Sequence, residues 1–160
     1  CREIQSFPNA TISEYGIYRN ETITTIQTEL YTRGPVTAGI AGTHLHDYNG
    51  GIITYKGHED WIDLHPTHEV SIVGWGSTSS RRASASASDS GTSTANATAT
   101  KFWIVRNSWG EYWGELSFFR LEMGYNLLGI ESEVAWAIPG SFTTVEDAVH
   151  CHEDGSNCES

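Results

Sequence analysis

The residues whose type and spacing point to chemistry are a histidine and an asparagine at two strand ends. His68 stands just before the run Val70-Ser71-Ile72-Val73-Gly74-Trp75, and Asn107 follows Phe102-Trp103-Ile104-Val105 with one residue between. Both runs are rich in β-branched and aromatic side chains and read as strands. If they form the arms of one hairpin, His68 and Asn107 come side by side at its open end. An imidazole beside an amide is an acid–base group with a partner to orient it, a pairing used in nucleophilic catalysis through a thiol. Just downstream, Trp109-Gly110 and Trp113-Gly114 set two tryptophans four residues apart. Composition alone reads them as an aromatic loop over a core.

Two other clusters carry chemical side chains. His44-Leu45-His46 puts two imidazoles on one face of an extended segment, and the C-terminal end holds His150-Cys151-His152 with Cys158. Imidazole and thiolate are zinc ligands, but these spacings match no finger pattern. Cys151 and Cys158 are also placed to form a disulfide in an oxidising compartment. No metal and no cofactor is assigned. The cysteines are three, Cys1, Cys151 and Cys158, so at least one thiol is unpaired or paired outside the chain.

The elements that must position His68 and Asn107 follow from pattern and punctuation. Ile23, Ile26 and Leu30 recur at helical spacing after Asn20 or Thr22 as N-cap and before Gly34-Pro35, which predicts a helix over 21–32. Val36 to Ala41 reads as a small-residue strand, and Tyr48-Asn49-Gly50-Gly51-Ile52 as a turn into another short one. Val70 to Trp75 reads as a buried strand. Of the 24 residues 77–100, eight are Ser, five Thr and six Ala, too little apolar surface to offset ordering. That segment is expected to be a mobile loop at the tip of the hairpin, where added length costs little. Further strands are expected at Leu116 to Met123 and Val134 to Ile138. The last eighteen residues hold five acids and no Lys or Arg, the pattern of a solvated tail. Several strands with one early helix predict an antiparallel sheet or barrel with a helical cover.

Composition narrows the function classes. Across 160 residues, 20 Asp plus Glu against 9 Lys plus Arg give a net charge of −11, which excludes a basic nucleic-acid binder. At 38% hydrophobic and 11% aromatic residues, the chain can build one core. Its apolar runs fall far short of the roughly 20 residues that span a bilayer, so no membrane partner is expected. The chain opens at Cys1 with no apolar leader, the look of a processed product or a piece of something longer. Asn9, Asn20 and Asn96 each begin an N-glycosylation triplet, which leans toward a secretory or lysosomal route.

The combination Thr67-His68-Glu69-Val70-Ser71-Ile72-Val73-Gly74-Trp75-Gly76 with Phe102-Trp103-Ile104-Val105-Arg106-Asn107-Ser108-Trp109-Gly110 and Trp113-Gly114-Glu115 resembles the His and Asn segments of papain-like cysteine peptidases. Arg33-Gly34-Pro35-Val36 and the Tyr48 to Ile52 turn support the match. Within that family, Cys1 to Ile4, Tyr15-Gly16, Val105-Arg106-Asn107, Tyr125-Asn126-Leu127 and Ile130-Glu131 look most like the cathepsin X (cathepsin Z) branch.

The resemblance implies an α+β fold: a papain-like right-hand domain with an antiparallel, barrel-like sheet and an N-terminal helix, the left-hand helical domain being absent. Residues 1–139 would form that domain, with 77–100 as an insertion and 140–160 as an acidic flexible tail. It also implies peptide-bond hydrolysis through an acyl-thioester, with carboxypeptidase action by likeness to the branch. His68 matches the general acid/base and Asn107 the residue that orients it. Trp109 would shield their bond and Trp113 wall the cleft. Thr67 stands where Asn or Asp is usual, and Glu69 where a small or apolar residue lines the substrate pocket. Glu69 is expected to favour both a protonated His68 and a basic substrate side chain. Ser117 replaces a glycine that normally follows the second tryptophan, which leaves the turn geometry there open. The family's nucleophile lies in a Gln-x5-Cys-Trp setting, which none of Cys1, Cys151 and Cys158 matches. The chain then lacks the nucleophile-bearing half, to which Cys1 would be disulfide-linked, and is inactive alone. Peptide or protein substrates and a lysosomal, vacuolar or secreted location follow from the same likeness. The competing class is a non-catalytic papain-like binding module.

Overall fold

A computed structural model describes residues 9–62, 64–78 and 99–143. Cys1, Cys151, Cys158, Asn96 and nearly all of the Ser-rich insertion and acidic tail lie outside these residues. The elements run β1 (Asn9–Arg19), α1 (Ile23–Arg33), β2 (Val36–Ile40), the 3-10 turn η1 (Gly42–Leu45), β3 (Ile52–Ile53), β4 (His68–Ser77), β5 (Lys101–Arg106), β6 (Phe118–Glu122) and β7 (Glu133–Thr143). Among the described residues, strands and one helix give the α+β architecture expected. Two details differ from expectation. The helix is not the first element, because β1 precedes it; Asn9 to Arg19 carries no clean alternation that would have marked it as a strand. The sheet is also open. Its order is β1-β7-β2-β4-β5-β6-β3, and the short edge strand β3 pairs parallel with β6 through Ile52↔Arg120 and Ile53↔Leu121.

The chain divides into two units. In the smaller, whose described residues are 9–16 and 137–143, the outer parts of β1 and β7 meet through side chains. The Thr11 hydroxyl donates to the Ser141 carbonyl at 3.1 Å and the Ser13 hydroxyl to the Ile138 carbonyl at 3.2 Å. The strand β7 continues past residue 139 to Thr143.

The larger unit, Ile17–Trp136, holds the core and the candidate site. Thr22 caps α1, its Oγ1 accepting the Thr25 N–H at 3.2 Å, while Gly34 ends it at φ 96° with its N–H on the Leu30 carbonyl. A left-handed residue there suits glycine, and Pro35 then forbids continuation. Ile26 and Leu30 turn the apolar stripe of α1 into a core shared with Ile40, Val70, Ile72, Trp103, Val105, Phe119 and Leu121. Glu29, on the same stripe, is buried but paired with Arg33 at 2.7 Å and takes the Tyr18 hydroxyl at 3.0 Å. Burying a carboxylate without such partners would be costly.

The strands β4 and β5 form the hairpin inferred from sequence, with Ser77 opposite Lys101 and the Thr78 N–H on the Thr100 carbonyl. The insertion therefore leaves and re-enters at its closed end. The pairing skips Val73, a β-bulge between Ile72↔Val105 and Gly74↔Ile104. Trp75, expected inside, is instead 40% exposed. On the far side, Glu115 ties the 48–51 turn to β6. Its carboxylate takes the Gly51 N–H at 3.0 Å and both Nε and Nη2 of Arg120, the first at 2.9 Å.

Those bonds, the Arg120 guanidinium first and the Gly51 amide after it, hold the Glu115 carboxyl below the ordinary carboxylate range. A depressed folded-state pKa means that the stabilisation is present above the unfolded value and is lost as pH falls through the folded one. Glu115→Gln should cost about 1 kcal/mol near neutrality, a figure discounted for partial exposure. The gap to wild type in thermal unfolding should close only below the usual glutamate range near about pH 4.3.

Candidate active site

The strand register brings His68 and Asn107 together. β4 and β5 pair as Ser71↔Arg106, so one further step sets Asn107 across from Val70. Side chains alternate along a strand, and His68 lies two residues from Val70 on the same face. The two residues are thus diagonal neighbours. His68 Nε2 lies 2.8 Å from Asn107 Oδ1.

Donor and acceptor in this bond follow from a third group. The Ser108 backbone N–H also points at Asn107 Oδ1, at 2.8 Å, and a backbone N–H can only donate. The atom it meets is therefore the amide oxygen, and His68 Nε2–H is the donor. A neutral His68 then carries its proton on Nε2 and presents the lone pair of Nδ1, which makes no hydrogen bond among the described residues. Such a ring can take up a proton at Nδ1 and return it while Nε2 stays anchored. Asn107 is buried, 4% exposed, and its Nδ2 has no partner among the described residues. An orphaned buried donor costs about 1–3 kcal/mol, so the amide is held through its oxygen alone.

Aromatic rings stack beside the histidine. Trp109 lies with its ring centroid 5.0 Å from that of His68, tilted 30°. Trp113 meets Trp109 edge-on, packs against Tyr48 and Phe119, and donates its Nε1–H to the Leu45 carbonyl at 3.2 Å. Trp109 faces the histidine; Trp113 is anchored to the core behind it. His44 and His46, expected together on an extended segment, diverge around η1. His44 tilts over Trp61, while His46 stacks flat on Trp109 at 4.9 Å.

Thr67 and Glu69 flank the histidine differently. The Thr67 hydroxyl accepts the Gly42 N–H at 3.2 Å and so fixes the start of η1. Glu69 pairs with Gly39 across β2 and β4, and alternation puts its side chain on the face opposite His68. It makes no hydrogen bond or ion pair with the His68 ring among the described residues, so the expected influence on that ring has no direct contact behind it. It lines instead a cavity of about 360 Å³ with Thr37, Ser71, Arg106, Asn107 and Ser108. Arg106 lies on the same wall. Among the glycosylation candidates, Asn9 opens β1 and Asn20 is an exposed residue at φ 52°.

Three supports went unrecognised in the sequence: the Ser108 amide, the Ser117 hydroxyl and Gly42. A β-carbon on Gly42 would stand 2.7 Å from Cβ of His68, so only glycine lets η1 approach the imidazole. Nothing in its local sequence marks Gly42, because the clash is with a residue 26 positions away.

With this geometry in place, the comparisons agree on a class. The model of the papain family of cysteine proteases matches residues 1–138, and the chain belongs to that family. Cathepsin Z of Onchocerca volvulus is 32% identical over 148 residues, 87% of this chain and 40% of the relative. Cathepsin B-like cysteine proteinase 2 of Haemonchus contortus is 31% identical over 119 residues, 74% of this chain and 28% of the relative. Among solved structures, digestive procathepsin L 3 of the Tenebrio molitor larval midgut superposes with a TM-score of 0.59 at 26% identity, covering 79% of this chain and 35% of the other. The chain spans less than half the length of the relatives it matches.

Gly42→Ala should push His68 off its bond to Asn107. The expected cost is about 1–3 kcal/mol of overpacking in chemical denaturation, together with faster solvent exchange of the His68 Nε2–H by NMR. Retention of both wild-type values would remove Gly42 from the site.

Proposed function

We propose that the chain is the histidine- and asparagine-bearing half of a cysteine-type peptidase that hydrolyses peptide bonds through an acyl-thioester. The observation that carries the proposal is the His68 Nε2–H bond to Asn107 Oδ1, which leaves Nδ1 open on a half-buried ring. In this reading a cysteine thiol supplied from outside the chain loses its proton to His68 Nδ1, and the imidazolium stabilises the resulting thiolate. The thiolate adds to the scissile carbonyl, and His68 returns the proton to the departing amine as the acyl-thioester forms. Water, with His68 as base, then attacks the thioester and releases acid and free thiol.

Asn107 orients the imidazole and keeps Nε2 protonated without introducing a charge. Trp109 restricts water around their bond, which strengthens it. Trp113 backs Trp109 on the leaving-group side, Thr67 sets the cleft edge through Gly42, and Glu69 lines the cavity on the other face of β4. The nucleophile is assigned to a missing N-terminal half because no cysteine of this chain stands in a Gln-x5-Cys-Trp setting. A disulfide from Cys1 to that half and a lysosomal, vacuolar or secreted location belong to the same reading. Carboxypeptidase action, expected from the sequence resemblance to the cathepsin X branch, belongs to this proposal as well.

The isolated chain should show no thiol-dependent peptidase turnover; activity blocked by an epoxide-type cysteine inhibitor would contradict the proposal. The coding sequence extended upstream should encode a Gln-x5-Cys-Trp element. In the protein so extended, His68→Ala should lower kcat/KM by about 10²–10⁴-fold and Asn107→Ala by less. A full-length protein with no such cysteine and no turnover would favour a non-catalytic binding module.

A further inference from the structure

The bond between His68 and Asn107 is only as well placed as the backbone of Asn107, and one residue holds both polar groups of that backbone. Asn107 lies just past the end of β5, beyond the last pair of the β5–β6 ladder, Arg106↔Phe118. Its N–H donates to the Ser117 carbonyl at 2.8 Å, and its carbonyl accepts the Ser117 hydroxyl at 2.9 Å. Ser117 in turn donates its own N–H to the Trp113 carbonyl at 2.9 Å. The residue that orients the imidazole is therefore linked to the loop bearing both tryptophans through Ser117.

Ser117 occupies a backbone position that its residue type disfavours. The Glu115 N–H meets the Phe118 carbonyl at 2.9 Å, and the Phe118 N–H meets the Glu115 carbonyl at 3.1 Å. Leu116 and Ser117 between them have φ of 55° and 70°. This is a two-residue hairpin turn with both central residues left-handed, a form that strongly prefers Asn-Gly or Gly-Gly. A side chain kept at such a position at the expense of backbone strain calls for a compensating interaction. Ser117 has one that glycine cannot make, the hydroxyl bond to the Asn107 carbonyl.

We infer that Ser117 is a positioning residue for the His68–Asn107 pair, acting through the hydroxyl bond that clamps the Asn107 backbone. The inference rests on the catalytic reading of that pair only for its meaning in turnover. The hold on Asn107 itself can be measured in the chain as it stands.

Glycine and alanine substitutions separate the clamp from the turn. Ser117→Gly removes the hydroxyl and suits the left-handed backbone, so it should fold with an unfolding temperature at or above wild type. Ser117→Ala removes the hydroxyl and keeps the strain. With ¹⁵N-labelled histidine, exchange of the His68 Nε2–H should quicken in both variants by about tenfold, the order of factor that one lost hydrogen bond makes. The Ser117→Gly result is decisive, because a residue serving only the turn would leave the His68 ring untouched or improved. Wild-type exchange in Ser117→Gly, or an unprotected His68 ring N–H in the wild-type chain, would overturn the inference. Absence of peptidase activity in the full-length protein would count against the proposed function alone, leaving the exchange result to stand or fall separately.

Discussion

The hydrogen bond from His68 Nε2 to Asn107 Oδ1 is the constraint around which the rest of the larger unit is arranged. It requires two residues 39 positions apart to meet at 2.8 Å with one ring nitrogen left open. The β4–β5 ladder supplies the coarse alignment, because its register makes the two residues diagonal neighbours. The Ser108 amide supplies the fine one by deciding which end of the Asn107 side chain faces the ring. Without that amide the asparagine could present either oxygen or nitrogen, and the tautomer of His68 would be unspecified.

Both sides of the bond are then braced. On the histidine side, Thr67 holds Gly42 by its N–H, and the missing β-carbon of Gly42 lets the η1 turn close against the His68 side chain. On the asparagine side, the Ser117 turn grips the backbone, and Trp109 lies against the imidazole with Trp113 keyed into the core behind it. The 48–51 turn is fastened to β6 by Glu115 and Arg120, which keeps Tyr48 packed on Trp113. The supports converge because a part-exposed imidazole must be held by its neighbours; its own burial is too small to fix it.

Much of this was legible in the chain. Thr22, the Ile26 and Leu30 spacing and Gly34-Pro35 delimit the helix to within a residue or two, because caps and breakers act locally. The strong strands on either side of the Ser-rich segment imply a hairpin, and a hairpin with those ends implies the His68–Asn107 neighbourhood. The strand β1 was not legible, since its membership in the sheet depends on β7, more than a hundred residues away. The divergence of His44 and His46 was hidden for the same kind of reason: each ring follows a tryptophan that the local sequence does not name.

The sequence by itself determined the family, the helix, the hairpin and the identity of the facing pair, because residue types, local spacing and strand pairing carry that information. Tertiary structure alone decided that the sheet stays open, that Glu69 turns away from His68, and that Gly42 and Ser117 serve the pair. Those outcomes depend on which face a strand presents and on how closely distant backbones approach. Such distances are set by packing in three dimensions and leave no mark in the neighbouring residues.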